Sequence, residues 1–313
     1  MISNVGLDIL RSTRNYDEQK MLRIASKHSS KNLLISDIRR SGDDNEGSRR
    51  FFIETGDIDD IEWIDAYPNA NRIALENRKD MQHWLTKISL GKLLDELDYG
   101  YIDRIAFTSD ENRTTIKSYV KKAIADQTAL PLVTAYTEGS SFFPHINRDL
   151  AKLGSDFRFE VARALLQLGY RDDEAPKGMG AHIYAAILIY HPSLQPYYYS
   201  GRTFRGMNIT SDDLECYVIG KIFMTRSFLS TTKNRQVAEM FHDVSDREMH
   251  HPVICIYNTL NTHSSRNIAQ LSKFEYEEEV LILPFVIFRV NTIRQVATDH
   301  GANRWEIELE EMS

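Results

Sequence analysis

The chain has 313 residues, a formal net charge of −7 and 42% hydrophobic residues, which provides enough apolar material for one large domain or two ordinary ones. This composition excludes a chain that is disordered throughout, and the acidic balance argues against a protein that binds nucleic acid mainly through phosphate contacts. Cys216 and Cys255 are too few for a disulfide framework, and the histidines His242, His250 and His251 lack the spacing of metal ligands. We therefore expect no nucleic-acid partner and no metal.

The sequence also bears on the location of the protein. Its N-terminal stretch has neither the basic segment nor the apolar segment of a secretory signal peptide, and no apolar run reaches the length of a membrane span. We therefore expect a cytoplasmic protein without a membrane span. Delivery by a secretion system that ignores such signals is compatible with the same sequence.

Residues 1–128 alternate helix-like and strand-like patterns and predict a small α/β domain. Helices are predicted for 17–27, 71–97 with an interruption at Gly91, and 115–124; strands are predicted for 32–38, 61–66 and 104–108. This half contains no glycine-rich phosphate loop, metal-ligand spacing or nucleophile elbow. We expect this N-terminal domain to bind a partner protein, to direct the rest of the chain or to restrain it.

A domain boundary is predicted near residues 123–131, where a helical pattern ends and Pro131 follows. The second part of the chain begins with predicted helices and ends with predicted short strands. The helices are 155–169, 182–190 and 210–219, and the strands are 223–230, 253–257, 279–283, 285–290 and 305–309. Helices first and strands later predict an α+β domain over residues 129–313, built on mainly antiparallel sheets.

Three consecutive glutamates, Glu277, Glu278 and Glu279, lead directly into an apolar, strand-like segment. Alternate residues of a strand share a face, so Glu277 and Glu279 would point to one side and Glu278 to the other. Like charges held together beside a hydrophobic strand indicate either a solvated strand edge or a working site. The triplet alone leaves both interpretations open.

Two motifs upstream favour the working site. Arg205 follows an aromatic residue and precedes Gly206, and the predicted strand 223–230 ends in three consecutive hydroxyl residues at 230–232. In this order, with the glutamates, the motifs resemble the mono-ADP-ribosyltransferase family in its arginine, serine, Glu-x-Glu branch, which includes vertebrate ecto-enzymes and cholera-like and actin-modifying toxins. The resemblance covers residues 130–313, and its most specific part is the Glu-x-Glu with its apolar strand. Thr232 departs from the serine that is commoner in the family.

The resemblance implies a fold of helices followed by two packed, mainly antiparallel sheets, and NAD as the co-substrate. Glu279 would stabilise the oxocarbenium-like centre that forms as nicotinamide leaves the ribose, and Ser230 would hold Glu279 through a hydrogen bond. Arg205 would bind the phosphates of NAD through its planar guanidinium. Gly206 would let the backbone approach the nicotinamide amide, and Phe241 would stack on the nicotinamide ring.

Glu277 is expected to select the acceptor. An arginine is protonated at physiological pH, so a positioned carboxylate is needed to orient its guanidinium and to remove a proton as the new bond forms. Family members with glutamine here modify other side chains, so the resemblance implies an arginine of a target protein, which Phe274 or Tyr276 would meet. Three functions stay open: transfer of ADP-ribose to protein arginine, hydrolysis of NAD by water, and a non-catalytic NAD-binding module.

Overall fold

The computed structural model describes residues 63–65, 70–138, 142–151, 174–240, 250–297 and 303–312. The predicted elements at 17–27, 32–38 and 155–169, and the side chain of Phe241, lie outside these ranges. The helices of the described ranges are α1 (Ala70–Lys87), α2 (Leu90–Gly100), α3 (Asp110–Asp126), α4 (Leu130–Thr137), α5 (Phe142–Ala151), α6 (Gly180–Tyr190), α7 (Ser211–Cys216) and α8 (Arg235–Met240). None of them combines the length and the apolarity that crossing a membrane requires.

The strands of the described ranges are β1 (Trp63–Asp65), β2 (Tyr198–Tyr199), β3 (Gly201–Thr210), β4 (Ile222–Thr225), β5 (Leu229–Thr232), β6 (His250–Thr259), β7 (Ser265–Asn267), β8 (Glu279–Ile282), β9 (Ile287–Ala297) and β10 (Asn303–Glu311). Short 3-10 helices lie at Ile102–Arg104, Pro192–Tyr197, Thr262–Ser264 and Glu275–Glu277. Nine strands follow the run of helices that ends with α6, so the predicted α+β class is confirmed.

A capping side chain explains where the second helix begins. The predicted helical pattern 71–97 is confirmed as α1 and α2, but the interruption predicted at Gly91 is wrong, because Gly91 lies inside α2. The break falls at Ser89, whose hydroxyl accepts a hydrogen bond from the Lys92 amide at 3.4 Å. The strand predicted at 104–108 is wrong. A 3-10 helix ends at Arg104, and the Arg113 guanidinium donates to the Ile105 carbonyl at 3.2 Å, so this stretch is held by local contacts instead of a neighbouring strand.

The helices pack into one hydrophobic core that extends onto the sheet. Side chains from α1 to α6 contact those of β4, β8 and β9; the core includes Met81, Leu94, Ile116, Tyr136, Phe142, Ile183, Met224, Phe228, which directly precedes β5, Leu281 and Ile287. Helices on both sides of residue 128 therefore contribute to the same core. Since residues 1–62 lie outside the described ranges, the division into an N-terminal α/β domain, 1–128, and a second domain, 129–313, stays a prediction.

The ten strands of the described residues are hydrogen-bonded in the order β1-β4-β9-β10-β6-β3-β5-β8-β7-β2. Every pairing is antiparallel except that of β10 with β6, which confirms the predicted mainly antiparallel character. We expected two packed sheets, but the strands form one continuous order. Its two halves are joined by the single residue pair Phe204 and Thr232 between β3 and β5.

Two sequence predictions differ from the observed strands. The segment 223–230 is not one strand. Its first part, β4, pairs with β9, and after three intervening residues β5 pairs with β3 and β8. The Thr225 hydroxyl stabilises this crossing by donating to the Leu283 carbonyl at 3.0 Å and accepting from the Val286 amide at 3.0 Å. The helix predicted for 210–219 begins as expected with a capping box at Thr210 but already ends at Cys216.

Candidate active site

The three motifs meet where the two halves of the sheet join. Thr232, the last residue of β5, pairs with Phe204 on β3 and with Glu279, the first residue of β8. Arg205 directly follows Phe204, and Gly206 pairs with Ile254 on β6. Sheet pairing therefore brings together residues that are 25 to 75 positions apart in the sequence.

Ser230 and Glu279 form the central contact of the site. The Ser230 hydroxyl donates to Glu279 Oε1 at 2.6 Å, so the hydrogen bond that the resemblance implied is present. Ser230 pairs with Leu281, and the alternation of β8 places Glu279 on the same face as Leu281, which explains why the two side chains meet. Glu279 is only 1% exposed, and Ser272 donates to its other oxygen at 3.4 Å. The carboxylate is thus fixed from two sides.

Glu277 does not occupy the strand position that we predicted. It ends the 3-10 helix Glu275–Glu277, and Glu278 follows in the left-handed region with φ 47°. This conformation interrupts the strand, so Glu277 and Glu279 are not alternate residues of one strand face. Glu277 is nevertheless only 1% exposed, and its backbone carbonyl accepts a 2.6 Å hydrogen bond from the Thr232 hydroxyl. The Glu278 carboxylate lies nearer the surface, 3.8 Å from Lys233 Nζ.

Arg205 connects two strands of the site. It is 4% exposed, and its Nη1 donates to the Ser230 carbonyl at 2.8 Å, so the guanidinium ties β3 to the strand that presents Ser230. This structural contact was not predicted from the sequence. The predicted contact of Arg205 with phosphate, the approach of Gly206 to the nicotinamide amide and the stacking of Phe241 stay predictions.

The segment 268–278, between β7 and β8, forms a loop that contains Glu277 and leads to Glu279. Helix α4 holds its backbone from one side: the Thr134 hydroxyl donates to the Leu271 carbonyl at 3.1 Å, and the Thr137 hydroxyl accepts from the Lys273 amide at 3.1 Å. On the other side of the loop Tyr276 is 60% exposed. No local pattern in the sequence predicted Thr134 and Thr137 as contacts, because they join segments more than 130 residues apart.

A group of ion pairs holds α8 against the sheet next to the site. Glu306 on β10 accepts hydrogen bonds from Arg235 on α8 and from Arg294 on β9, the latter at 2.7 Å. Glu239 on α8 accepts from Arg235 at 2.8 Å and from Arg304 at 2.6 Å. Burial raises the pKa of the Glu306 carboxyl, but the hydrogen bonds from Arg294 and Arg235 outweigh it and bring this pKa below its ordinary value.

The parts of the chain that the structure describes contain no group of three or more His, Cys, Asp or Glu side chains placed to hold a metal ion. The site as seen here is instead built of two buried carboxylates, a buried guanidinium and a row of hydroxyls. The absence of a metal from the reaction stays a prediction.

One family model matches the part of the chain that contains the three motifs. Residues 192–313 match the family model of NAD:arginine ADP-ribosyltransferase. Among solved structures, the chain is similar to the type III effector XopAI from Xanthomonas axonopodis pv. citri, with 16% identity, TM-score 0.44, and coverage of 80% of this chain and 95% of that one. It is also similar to the Vis toxin, an ADP-ribosyltransferase from Vibrio splendidus, with 19% identity, TM-score 0.40, and coverage of 68% and 89%.

Exoenzyme S from Pseudomonas aeruginosa matches with 15% identity and TM-score 0.37, covering 70% of this chain and 88% of that one. At these TM-scores the structural similarities carry no weight for the function of the chain. No protein with a curated description matches it. The family therefore rests on the match to residues 192–313, which contains Arg205, Ser230, Glu277 and Glu279.

Proposed function

Since residues 192–313 belong to the NAD:arginine ADP-ribosyltransferase family, we propose that this chain transfers ADP-ribose from NAD to an arginine side chain of a target protein and releases nicotinamide. The observation that carries the proposal is the 2.6 Å hydrogen bond from Ser230 Oγ to Glu279 Oε1, because it holds a buried carboxylate in one orientation. A second buried carboxylate, Glu277, lies two residues away in the chain.

Glu279 acts on the donor. As the bond between nicotinamide and the ribose breaks, its electron pair leaves with nicotinamide and positive charge develops on the ribose, which a fixed carboxylate stabilises. Such stabilisation is most effective when the carboxylate is already oriented before the reaction. The hydrogen bonds from Ser230 and Ser272 supply that orientation.

Glu277 acts on the acceptor. A guanidinium nitrogen of the target arginine forms the new bond to the ribose, and Glu277 takes the proton that this nitrogen loses. Arginine remains protonated in proteins, so without a nearby base the nitrogen has no electron pair to offer. The 2.6 Å hydrogen bond from the Thr232 hydroxyl to the Glu277 backbone carbonyl supports this role, because Thr232 pairs with Glu279.

Arg205, Gly206 and Phe241 bind NAD in this proposal. A guanidinium has five N–H donors, so the bond from Arg205 to the Ser230 carbonyl is compatible with a phosphate contact through the rest of the group. Through these two contacts of Arg205, phosphate binding would be coupled to the position of β5, which carries Ser230. The residues present therefore fit a dinucleotide whose ribose meets Glu279.

The test is incubation of the purified chain with labelled NAD and agmatine, a small guanidine. We expect ADP-ribosyl-agmatine and nicotinamide in equal amounts, and almost no product from Glu279→Ala. Glu278→Gln is the matched control, because it changes the neighbouring, more exposed carboxylate. Free ADP-ribose without modified agmatine would instead identify an NAD hydrolase. Equally slow nicotinamide release by the chain and by Glu279→Ala would show a non-catalytic module. Mass spectrometry of cellular proteins treated with the chain and labelled NAD would then identify the target.

A further inference from the structure

From the contacts of the 268–278 loop we infer that Tyr119, on α3 and outside residues 192–313, is a positioning residue. Through Glu138 and Lys273 it fixes the position of Glu277, the carboxylate that acts on the acceptor. The inference rests on the proposed function, because it assigns to Tyr119 an effect on arginine transfer. Tyr119 lies far from Glu277 in sequence, and it acts through the loop that leads to this residue.

The side chains of Tyr119, Glu138 and Lys273 form one connected group. The Tyr119 hydroxyl donates to Glu138 Oε2 at 2.7 Å, and Lys273 Nζ lies 3.4 Å from the same oxygen. Lys273 Nζ also lies over the Tyr119 ring, 5.8 Å from its centroid. One carboxylate oxygen therefore links α3, the end of α4 and the 268–278 loop.

This group adds to backbone contacts that already attach the loop to α4. Thr134 and Thr137 bond the Leu271 carbonyl and the Lys273 amide, so the backbone of the loop is fixed on both sides of Ser272. Lys273 and Glu138 are partly exposed, and an exposed ion pair alone contributes little to stability. The group instead fixes the position of the loop relative to α4.

The protonation of the group supports a persistent contact. The neighbouring Tyr119 side chain and the Glu138 carboxylate raise the pKa of Lys273 above its ordinary range. Burial, together with the hydrogen bond to Glu138, raises the pKa of the Tyr119 hydroxyl. Both groups therefore stay protonated and able to donate hydrogen bonds throughout the physiological pH range.

A short and compact path leads from Lys273 to the acceptor carboxylate. Phe274 follows Lys273, and its carbonyl accepts a 3.1 Å hydrogen bond from the Glu277 amide across the 3-10 helix Glu275–Glu277. A displacement of Lys273 is thus carried to Glu277 over a single helical turn. Tyr276, the exposed aromatic residue of the same turn, would move with it.

Glu279 is attached differently. Its strand, β8, pairs with β5 and β7, and the short 2.6 Å hydrogen bond to its carboxylate comes from Ser230 on β5. The loop contributes only the longer 3.4 Å contact from Ser272. Loss of the Tyr119 hydroxyl should therefore disturb the use of the acceptor and leave the cleavage of NAD nearly unchanged. This separation distinguishes a positioning role from a general effect on folding.

The experiment compares Tyr119→Phe with the unchanged chain. The variant keeps the ring and removes only the hydroxyl. We expect kcat/KM for agmatine to fall about fivefold, which is less than the roughly hundredfold loss of rate that a displacement of about 1 Å can cause. KM for NAD and the rate of NAD hydrolysis should change less than about twofold, because Glu279 keeps its position. Glu138→Gln should shift the same ratio of transfer to hydrolysis. The matched control is Tyr99→Phe, since Tyr99 also lies under a lysine, Lys117, but on α2.

Each result decides between the two proposals. An unchanged kcat/KM for agmatine in Tyr119→Phe and Glu138→Gln, or a parallel loss of transfer and NAD hydrolysis, would overturn the role of Tyr119 and leave the proposed function standing. NAD hydrolysis without any arginine transfer by the unchanged chain would overturn both. If Tyr119→Phe unfolds early in thermal denaturation, Glu138→Gln and Lys273→Met decide the question by the same ratio.

Discussion

The Ser230 hydroxyl donates a 2.6 Å hydrogen bond to the carboxylate of Glu279 across the pairing of β5 with β8. The two residues are 49 positions apart, and their contact depends on the register that pairs Ser230 with Leu281. A shift of one residue in this register would turn Ser230 to the opposite face. In the proposed reaction the register of these two strands thus determines whether the donor carboxylate is oriented.

Replacing Ser230 by alanine should slow nicotinamide release by about tenfold to a hundredfold, because Glu279 loses the donor that orients it. KM for NAD should change little. The matched control is Thr231→Val, which removes a neighbouring buried hydroxyl that donates to the Val280 carbonyl at 2.6 Å. Steady-state assays of nicotinamide release measure both variants, and equal losses would contradict an orienting role for Ser230.

The two glutamates should separate under substitution. Glu279→Gln is expected to reduce nicotinamide release by about a thousandfold, since the amide keeps the shape but not the charge that stabilises the ribose. Glu277→Gln is expected to suppress transfer to agmatine while measurable NAD hydrolysis remains, because only the acceptor needs this base. Parallel product assays with labelled NAD report transfer and hydrolysis together. Equal loss of both activities in Glu277→Gln would refute the division of roles.

Arg205→Lys should raise KM for NAD by about tenfold. The ammonium group lacks the planar fork that suits paired phosphates, and it also loses the geometry of the 2.8 Å bond to the Ser230 carbonyl. Because that bond ties β3 to β5, the midpoint of thermal unfolding should fall as well. Arg202→Lys, an exposed change on the same strand, provides the comparison. An unchanged KM for NAD would contradict a role of Arg205 in binding.

The sequence predicted elements well where the signal was local. Strong helical periodicity located α1, α2, α3 and α6, and the hydroxyl at Thr210 located the start of α7. Local patterns failed where long-range pairing decides: an apolar run at 223–230 is divided between two halves of the sheet. They also failed at Glu278, where a residue other than glycine takes a left-handed conformation that no propensity indicates.

The candidate site was found through ordered motifs, and its internal geometry was only partly predictable. The contact of Ser230 with Glu279 followed from the resemblance, whereas the bond from Arg205 to the Ser230 carbonyl requires knowledge of the register between β3 and β5. The support of the 268–278 loop by Thr134 and Thr137 requires the packing of α4 against that loop. Such contacts leave no periodic pattern in either segment.

Two glycines in the helical region should respond oppositely to alanine. A Cβ at Gly180 would lie 2.2 Å from Tyr101 Cβ, so Gly180→Ala forces α6 away from Tyr101 and should cost about 1–3 kcal/mol in the free energy of unfolding. Gly91 lies inside α2 with nothing within 4 Å of the added Cβ, so Gly91→Ala should stabilise the chain by about 0.5–1 kcal/mol. Urea unfolding followed by circular dichroism measures both changes. Similar shifts of the same sign would contradict the packing of α6 against Tyr101.

The Glu306 ion pairs should make stability depend on pH in a defined direction. The hydrogen bonds from Arg294 and Arg235 lower the pKa of Glu306 in the folded chain below the ordinary value of 4.5, so this contribution is present above 4.5 and is lost as the pH falls through the lowered pKa. Glu306→Gln should therefore be less stable than the unchanged chain by about 2 kcal/mol at pH 7, and the difference should shrink as the pH falls below 4.5. Glu310→Gln, an exposed change on the same strand, is the matched control. Urea unfolding from pH 7 downwards measures the difference, and a difference that stays constant with pH would show that Glu306 contributes through packing instead of charge.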